Sequence, residues 1–131
     1  DTGTATIEIT GIESFSFDVT CQFGTGIIEG AGTRDDGEPA YFRGGVQVTE
    51  SGEPREDLEA IDFIVKVGSD ELFGQGDYEW RLRPSTGGAD TLSNDGESVS
   101  GSGSFEYTDD RPDPRFTYGE IKPGTFEMDC P

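Results

Sequence analysis

Histidine is absent from this sequence. With it go the usual general base, the commonest metal ligand and every Ser/His/Asp or Cys/His catalytic arrangement. Lysine is nearly absent too: Lys66 and Lys122 accompany seven arginines, against 28 acidic residues, for a formal charge of 9 − 28 = −19. That excess opposes nucleic-acid binding through phosphate neutralisation. No stretch approaches the roughly 20 consecutive apolar residues of a membrane helix. No window of 11 or more residues carries a helical stripe either. Cysteine is reduced to Cys21 and Cys130, too few to complete a metal site without histidine and too far apart for a redox pair.

What is present is a modest apolar fraction, 31%, weighted toward large rings: nine Phe, four Tyr and one Trp. At 131 residues the chain is the size of one domain, residues 1–131, since domains commonly run to roughly 100–150 residues. Period-two alternation dominates. Thr4–Ile9, with Ile7 and Ile9 inward, and Ser14–Thr20 form a first hairpin, and Gly26–Thr33 follows with Ile27, Ile28 and interspersed glycines. Arg34 to Pro39 is a turn, because Asp and Gly tolerate positive φ and Pro ends pairing. Ala40–Val48 places Phe42, Val46 and Val48 on one face, interrupted by Gly44-Gly45. Glu56 to Glu59 suggests one helical turn, and Ala60–Val67 is the strongest strand, with Ile64 on the face opposite Phe63 and Val65. Leu72–Leu82, Ser98–Thr108 after the Asn94-Asp95-Gly96 turn, and Gly124–Cys130 complete the strands. The prolines between Asp109 and Pro114 exclude a central strand there. Eight or nine short strands predict an all-β fold, an antiparallel β-sandwich or flattened barrel.

The cysteines leave two readings, a disulfide or two independent thiols. Cys21 follows Phe15, Phe17 and Val19 in phase, and Cys130 follows Phe126 and Met128, so both sulfurs face the buried side of their strands. If those strands are neighbours, the sulfurs meet. A loop of about 110 residues would be closed, a stabilisation of ~4–5 kcal/mol in chain-entropy models. A disulfide places the chain in an oxidising compartment, and a start at Asp1 suits a mature exported protein. The expected localisation is extracellular or cell-surface. The charge itself reads first as solubility, then as adaptation to high salt; mimicry of nucleic acid by an acidic surface ranks below both.

The order of landmarks adds a resemblance. A Thr-rich first hairpin (Thr4-Ala5-Thr6-Ile7-Glu8-Ile9) ends in Val19-Thr20-Cys21, and the turn Asp36-Gly37-Glu38-Pro39 follows. Later come Val99-Ser100-Gly101-Ser102-Gly103 and a terminal Phe126-Glu127-Met128-Asp129-Cys130. In this order the chain resembles the mycobacterial lipoprotein-antigen family and its actinobacterial relatives. The resemblance implies an exported cell-envelope β domain with one disulfide between early and late strands. It also implies tethering by an acylated cysteine upstream of Asp1, and a role as surface antigen in adhesion or ligand carriage. It brings no catalytic residues. The chain is more acidic than that family, its ending is a residue shorter, and residues 52–82 have no counterpart.

Candidate chemistry is sparse. Glu79 and Glu127, on strands beside aromatics, are the best carboxylate pair for glycoside hydrolysis, which needs two acids some 5–10 Å apart. With 28 acids such adjacency is expected by chance, and the chain reads as no enzyme. Calcium takes six to eight oxygens. Asp35, Asp36 and Glu38, then Asp90, Asn94, Asp95 and Glu97, then Asp109, Asp110 and Asp113 are clusters that would supply them, although turn chemistry alone explains acidic turns. No other cofactor is expected. Tyr41, Tyr78, Trp80, Tyr107 and Tyr118 are the aromatics available to a glycan or peptide, with Trp80 in phase with the core. The leading expectation is a non-enzymatic envelope protein. Its rival is an extracellular binding or assembly module: a carbohydrate-binding domain, or a subunit of a surface filament or particle shell. A pocket lined by tyrosine or Trp80 favours the binding module.

Overall fold

The structure, a computed structural model, describes residues 2–22, 26–46, 55, 57–71 and 74–130. Nine strands form: β1 (Thr2–Ile9), β2 (Glu13–Gln22), β3 (Ile27–Arg34), β4 (Pro39–Val46), β5 (Ile61–Val67), β6 (Tyr78–Leu82), β7 (Ala89–Asn94), β8 (Ser98–Thr108) and β9 (Ile121–Asp129). All pairings are antiparallel, and β1 to β6, β8 and β9 close on themselves through β6–β8 and β9–β1. Of the two expected architectures the molecule is therefore the barrel. Closure is what removes free edges from an antiparallel sheet. The extra strand β7 pairs with the first half of β8 and has no second partner among the described residues.

Alternation places the inward residues. Phe15, Phe17, Phe42, Phe63, Phe105 and Phe126 form a file of rings with neighbouring centroids 5.2–6.2 Å apart. An eight-stranded barrel is just wide enough for side chains to fill, and glycines make that filling work. A Cβ on Gly32 would stand 2.8 Å from the Phe17 ring, one on Gly101 2.8 Å from Phe126, and one on Gly124 2.7 Å from Phe105. The dispersed glycines of the sequence are thus the small partners of large rings.

Several expectations need correction. The strand predicted over Leu72–Leu82 begins only at Tyr78. Asp77 donates its N–H to the Val67 carbonyl at 2.7 Å, and Gly76 lies so close over Lys66 that a Cβ would meet its side chain at 2.7 Å. The chain is still turning there, so pairing with β5 starts at Val67–Tyr78. The expected helical turn is a 3-10 turn at Leu58–Ala60. Gly44 sits in phase with Phe42 and Val46, so β4 runs through without interruption. Val48, Glu56, Leu72 and Phe73 lie outside the described residues.

The cysteines are joined, with Cα atoms 6.1 Å apart and a sequence separation of 109. The strands that carry them are not neighbours: β1 runs between β2 and β9. Contact is made past the first residues of β1, where inward-facing Gly3 has no side chain; a Cβ there would lie 2.1 Å from the Asp129 carbonyl and 3.1 Å from the Cys130 Cα. The disulfide therefore ties the end of β2 to the residue after β9 across the start of β1.

Candidate functional site

The opposite end is closed by polar chemistry. Glu13 opens β2 facing inward, with its side chain only 3% exposed. Its carboxylate accepts hydrogen bonds from the Tyr78 hydroxyl (2.9 Å), the Trp80 indole Nε1 (2.6 Å) and Arg115 Nη2 (2.9 Å). Arg34, ending β3, donates to the Tyr78 hydroxyl at 2.7 Å and forks onto Asp36. Burial, with the Glu13 charge behind it, pushes the Tyr78 phenol well above its ordinary value. The segment between β8 and β9 lies across this end as a strap. Phe116 packs on Trp80 and Tyr107, and Arg115 stacks over Tyr78 and Phe116. Asp109 is buried, takes hydrogen bonds from the Tyr107 hydroxyl and from Arg111 (Nε at 3.0 Å, Nη2 at 2.8 Å), and is held by that guanidinium well below the usual carboxylate range. Each buried polar group here has partners, as buried polar groups require. The arrangement is a plug.

The predicted site residues fall in different surroundings. Tyr78, Trp80 and Tyr107 are buried, so three of the five aromatics named for ligand contact are withdrawn from solvent. Glu79 and Glu127 are not brought together. Glu79 pairs across to Thr108 at one end of β8, while Glu127 pairs with Ser100, eight residues along the strand, or roughly 26 Å. Glu79 is instead bound to Arg81 at 2.7 Å. The acidic turns are occupied locally. Asp35 accepts from Ser14 N–H, Asp36 pairs with Arg34, and Asp95 accepts the N–H groups of Ser98 and Glu97, which lower its pKa. Asp109 is committed to Arg111 and Tyr107, and its exposed neighbour Asp110 lines a surface hollow beside Arg111. Among the described residues no group of three or more His, Cys, Asp or Glu is placed to hold a metal ion. No helix among them is long and apolar enough to cross a membrane.

What remains lies on the outer surface of β3, β4 and β5. Cross-strand pairing sets Ile27, Gly45 and Asp62 in one row and Glu29, Arg43 and Ile64 in the next. A row further on, Tyr41 pairs with Lys66. Gly45 presents no side chain, and a Cβ built on it would touch only the Asp62 carbonyl, at 3.8 Å. The result is an open hollow of about 440 Å³ with Ile27, Ile64 and Tyr41 around it. Tyr41 is half-buried and donates to Glu29 at 2.9 Å. Among the described residues neither Arg43 nor Asp62 has an ion-pair partner. Of the sequence candidates Tyr41 and Glu79 line this hollow. Its other members carried a signal all the same: Ile27 beside Ile28, and Ile64 between Phe63 and Val65, break the alternation, so an aliphatic side chain has to face outward.

The rest of the barrel's exterior differs in kind. Outward positions of β7, β8, β9, β1 and β2 are chiefly Ser and Thr, with Glu8, Asp18, Glu127 and Asp129 among them and no Lys or Arg. Compared with known proteins, the chain matches no family model, no curated protein and no solved structure.

Proposed function

We propose that this chain is a non-catalytic binding domain that works outside the cytosol through the outer face of β3, β4 and β5. The observation that carries the reading is the hollow at Tyr41: apolar side chains gather in a concavity on one outer face, whereas the outward positions of β7, β8, β9, β1 and β2 are chiefly hydroxyls and carboxylates. Apolar concavities with a few convergent polar groups are where ligands bind. The barrel interior is filled by rings and plugged at the Glu13 end, which favours surface contact over internal carriage. The disulfide supports an oxidising compartment, and an all-β domain with an early–late disulfide is what kinship with the lipoprotein antigens implies. Tethering through an upstream acylated cysteine belongs to the same proposal. Assembly by strand addition has a poorer basis, since among the described residues the unpaired edge is that of β7, six residues long with a register shift between Ala89 and Thr91.

The test is retention on the outer surface of cells of the source organism. Ile64→Glu introduces a charge into the hollow while leaving the inward faces of β5 untouched. Purified Ile64→Glu protein should be retained about tenfold less than the parent, as for loss of a buried contact residue. Equal retention of both proteins overturns the reading.

A further inference from the structure

The hollow at Tyr41 does not end at β5. Lys66 and Glu79 also line a second hollow, of about 470 Å³, bounded by Gly74 to Asp77 on one side and by Thr108, Arg111 and Tyr118 on the other. The connecting residues form one cross-strand row, Tyr41–Lys66–Glu79–Thr108, over β4, β5, β6 and β8. Three strand spacings make that row about 14 Å long. The two hollows adjoin at Lys66 and Glu79 and are read together as one trough, its first part along β4 and β5 and its second across β5, β6 and β8. Tyr41 stands in the row where the two hollows meet, and Tyr118, 62% exposed, stands on the far side of the second.

Charge narrows what fits. Four basic and four acidic side chains line the two hollows, so 4 − 4 leaves the trough without net charge on a molecule of −19. A polyanion would be repelled by the molecule as a whole. A polycation would find the denser negative field of Glu8, Asp18, Glu127 and Asp129 on the opposite side. An extended peptide gains its affinity from main-chain bonds to a sheet edge, and a trough crossing the middle of paired strands offers none. An uncharged, polyhydroxylated chain meets what the trough presents: ring faces for stacking, and planar groups that donate or accept hydrogen bonds in pairs. Resting on the reading of this face as the contact surface, we infer that the trough binds a neutral linear polysaccharide, with Tyr41 and Tyr118 stacking on sugar rings and Arg43 and Asp62 bonding hydroxyl pairs in the part of the first hollow beyond Tyr41.

Affinity electrophoresis tests this directly, because a strongly acidic chain migrates well in native gels. The gels contain dextran, mannan, galactan or a soluble β-glucan, with dextran sulfate as the charged comparison. At least one neutral polysaccharide should retard the parent protein, to the same extent in low and high salt. Tyr118→Ala and Asp62→Ala, both at exposed positions, should each weaken that retardation about tenfold. Retardation by dextran sulfate alone, by none of the four neutral polymers, or unchanged in both variants overturns the inference. If Ile64→Glu still abolishes retention on cells while every neutral polymer fails, the contact surface stands and the neutral glycan falls. If Ile64→Glu leaves retention on cells unchanged, the contact surface itself has failed.

Discussion

Asp109 shows what an acid-rich chain does with a carboxylate it takes out of water. Burial penalises the charge, but Arg111 forks onto the carboxylate, and the Tyr107 hydroxyl supplies a further hydrogen bond. The folded pKa therefore lies below that of the unfolded chain, near 4. Between those values the unfolded chain takes up the proton first, so the stabilisation is complete above about pH 4 and declines as pH falls through the folded value. Asp36, lowered to about 2 chiefly by Arg34, acts in the same direction but is exposed and screened. Asp109→Asn should lower stability at neutral pH by about 1–3 kcal/mol and flatten the loss below pH 4. Melting curves from pH 2 to 7 measure both, and parallel acid limbs for variant and parent would contradict the assignment. Little of this was visible in the sequence. Asp109, Asp110 and Asp113 look alike on paper, and only the path of the strap decides which of them is buried. Glu13 is equally opaque, since its partners Tyr78, Trp80 and Arg115 lie 65 to 102 residues away.

Strands were legible where hydropathy alternates. β1, β2, β5, β8 and the body of β9 follow from period two, and the turns at Gly37 and Gly96 do adopt positive φ, 92° and 91°. Alternation is silent where side chains are small or polar, which is why β7 is unmarked and the start of β6 is misplaced. The off-phase Ile27 and Ile64 were the readable trace of the outer hollow, yet periodicity alone does not bring β3 beside β5 across β4. Glycine carries a prediction at this scale. On β3 a Cβ at Gly32 would sit 1.9 Å from the Ser16 carbonyl as well as against Phe17. Gly32→Ala should destabilise the barrel by about 1–3 kcal/mol through overpacking, despite alanine's lower unfolded-state entropy. Chemical denaturation measures it, and a variant as stable as the parent would show that β3 can move away from β2 freely.

For the whole molecule, composition settled the sign of the surface and not its distribution. No Lys or Arg points outward from β7, β8, β9, β1 or β2, while Arg43, Lys66 and Arg81 sit on the β4–β6 side. Like charges on the acidic side repel in the compact state more than in the expanded one. Salt shortens the Debye length from about 10 Å at 0.1 M to about 3 Å at 1 M, so the melting temperature should rise over that range. A flat response in a NaCl series would mean that the acidic side contributes no repulsion.

The barrel's two ends are held by unlike means, a covalent bond beneath β1 and a strap of arginines and rings over Tyr78. Reductant can loosen only the first, acid chiefly the second. A cell that keeps thiols oxidised but lets its surroundings sour would leave one door locked while the other swings, and the domain would fray from the strap inward with Cys21 and Cys130 still tied together.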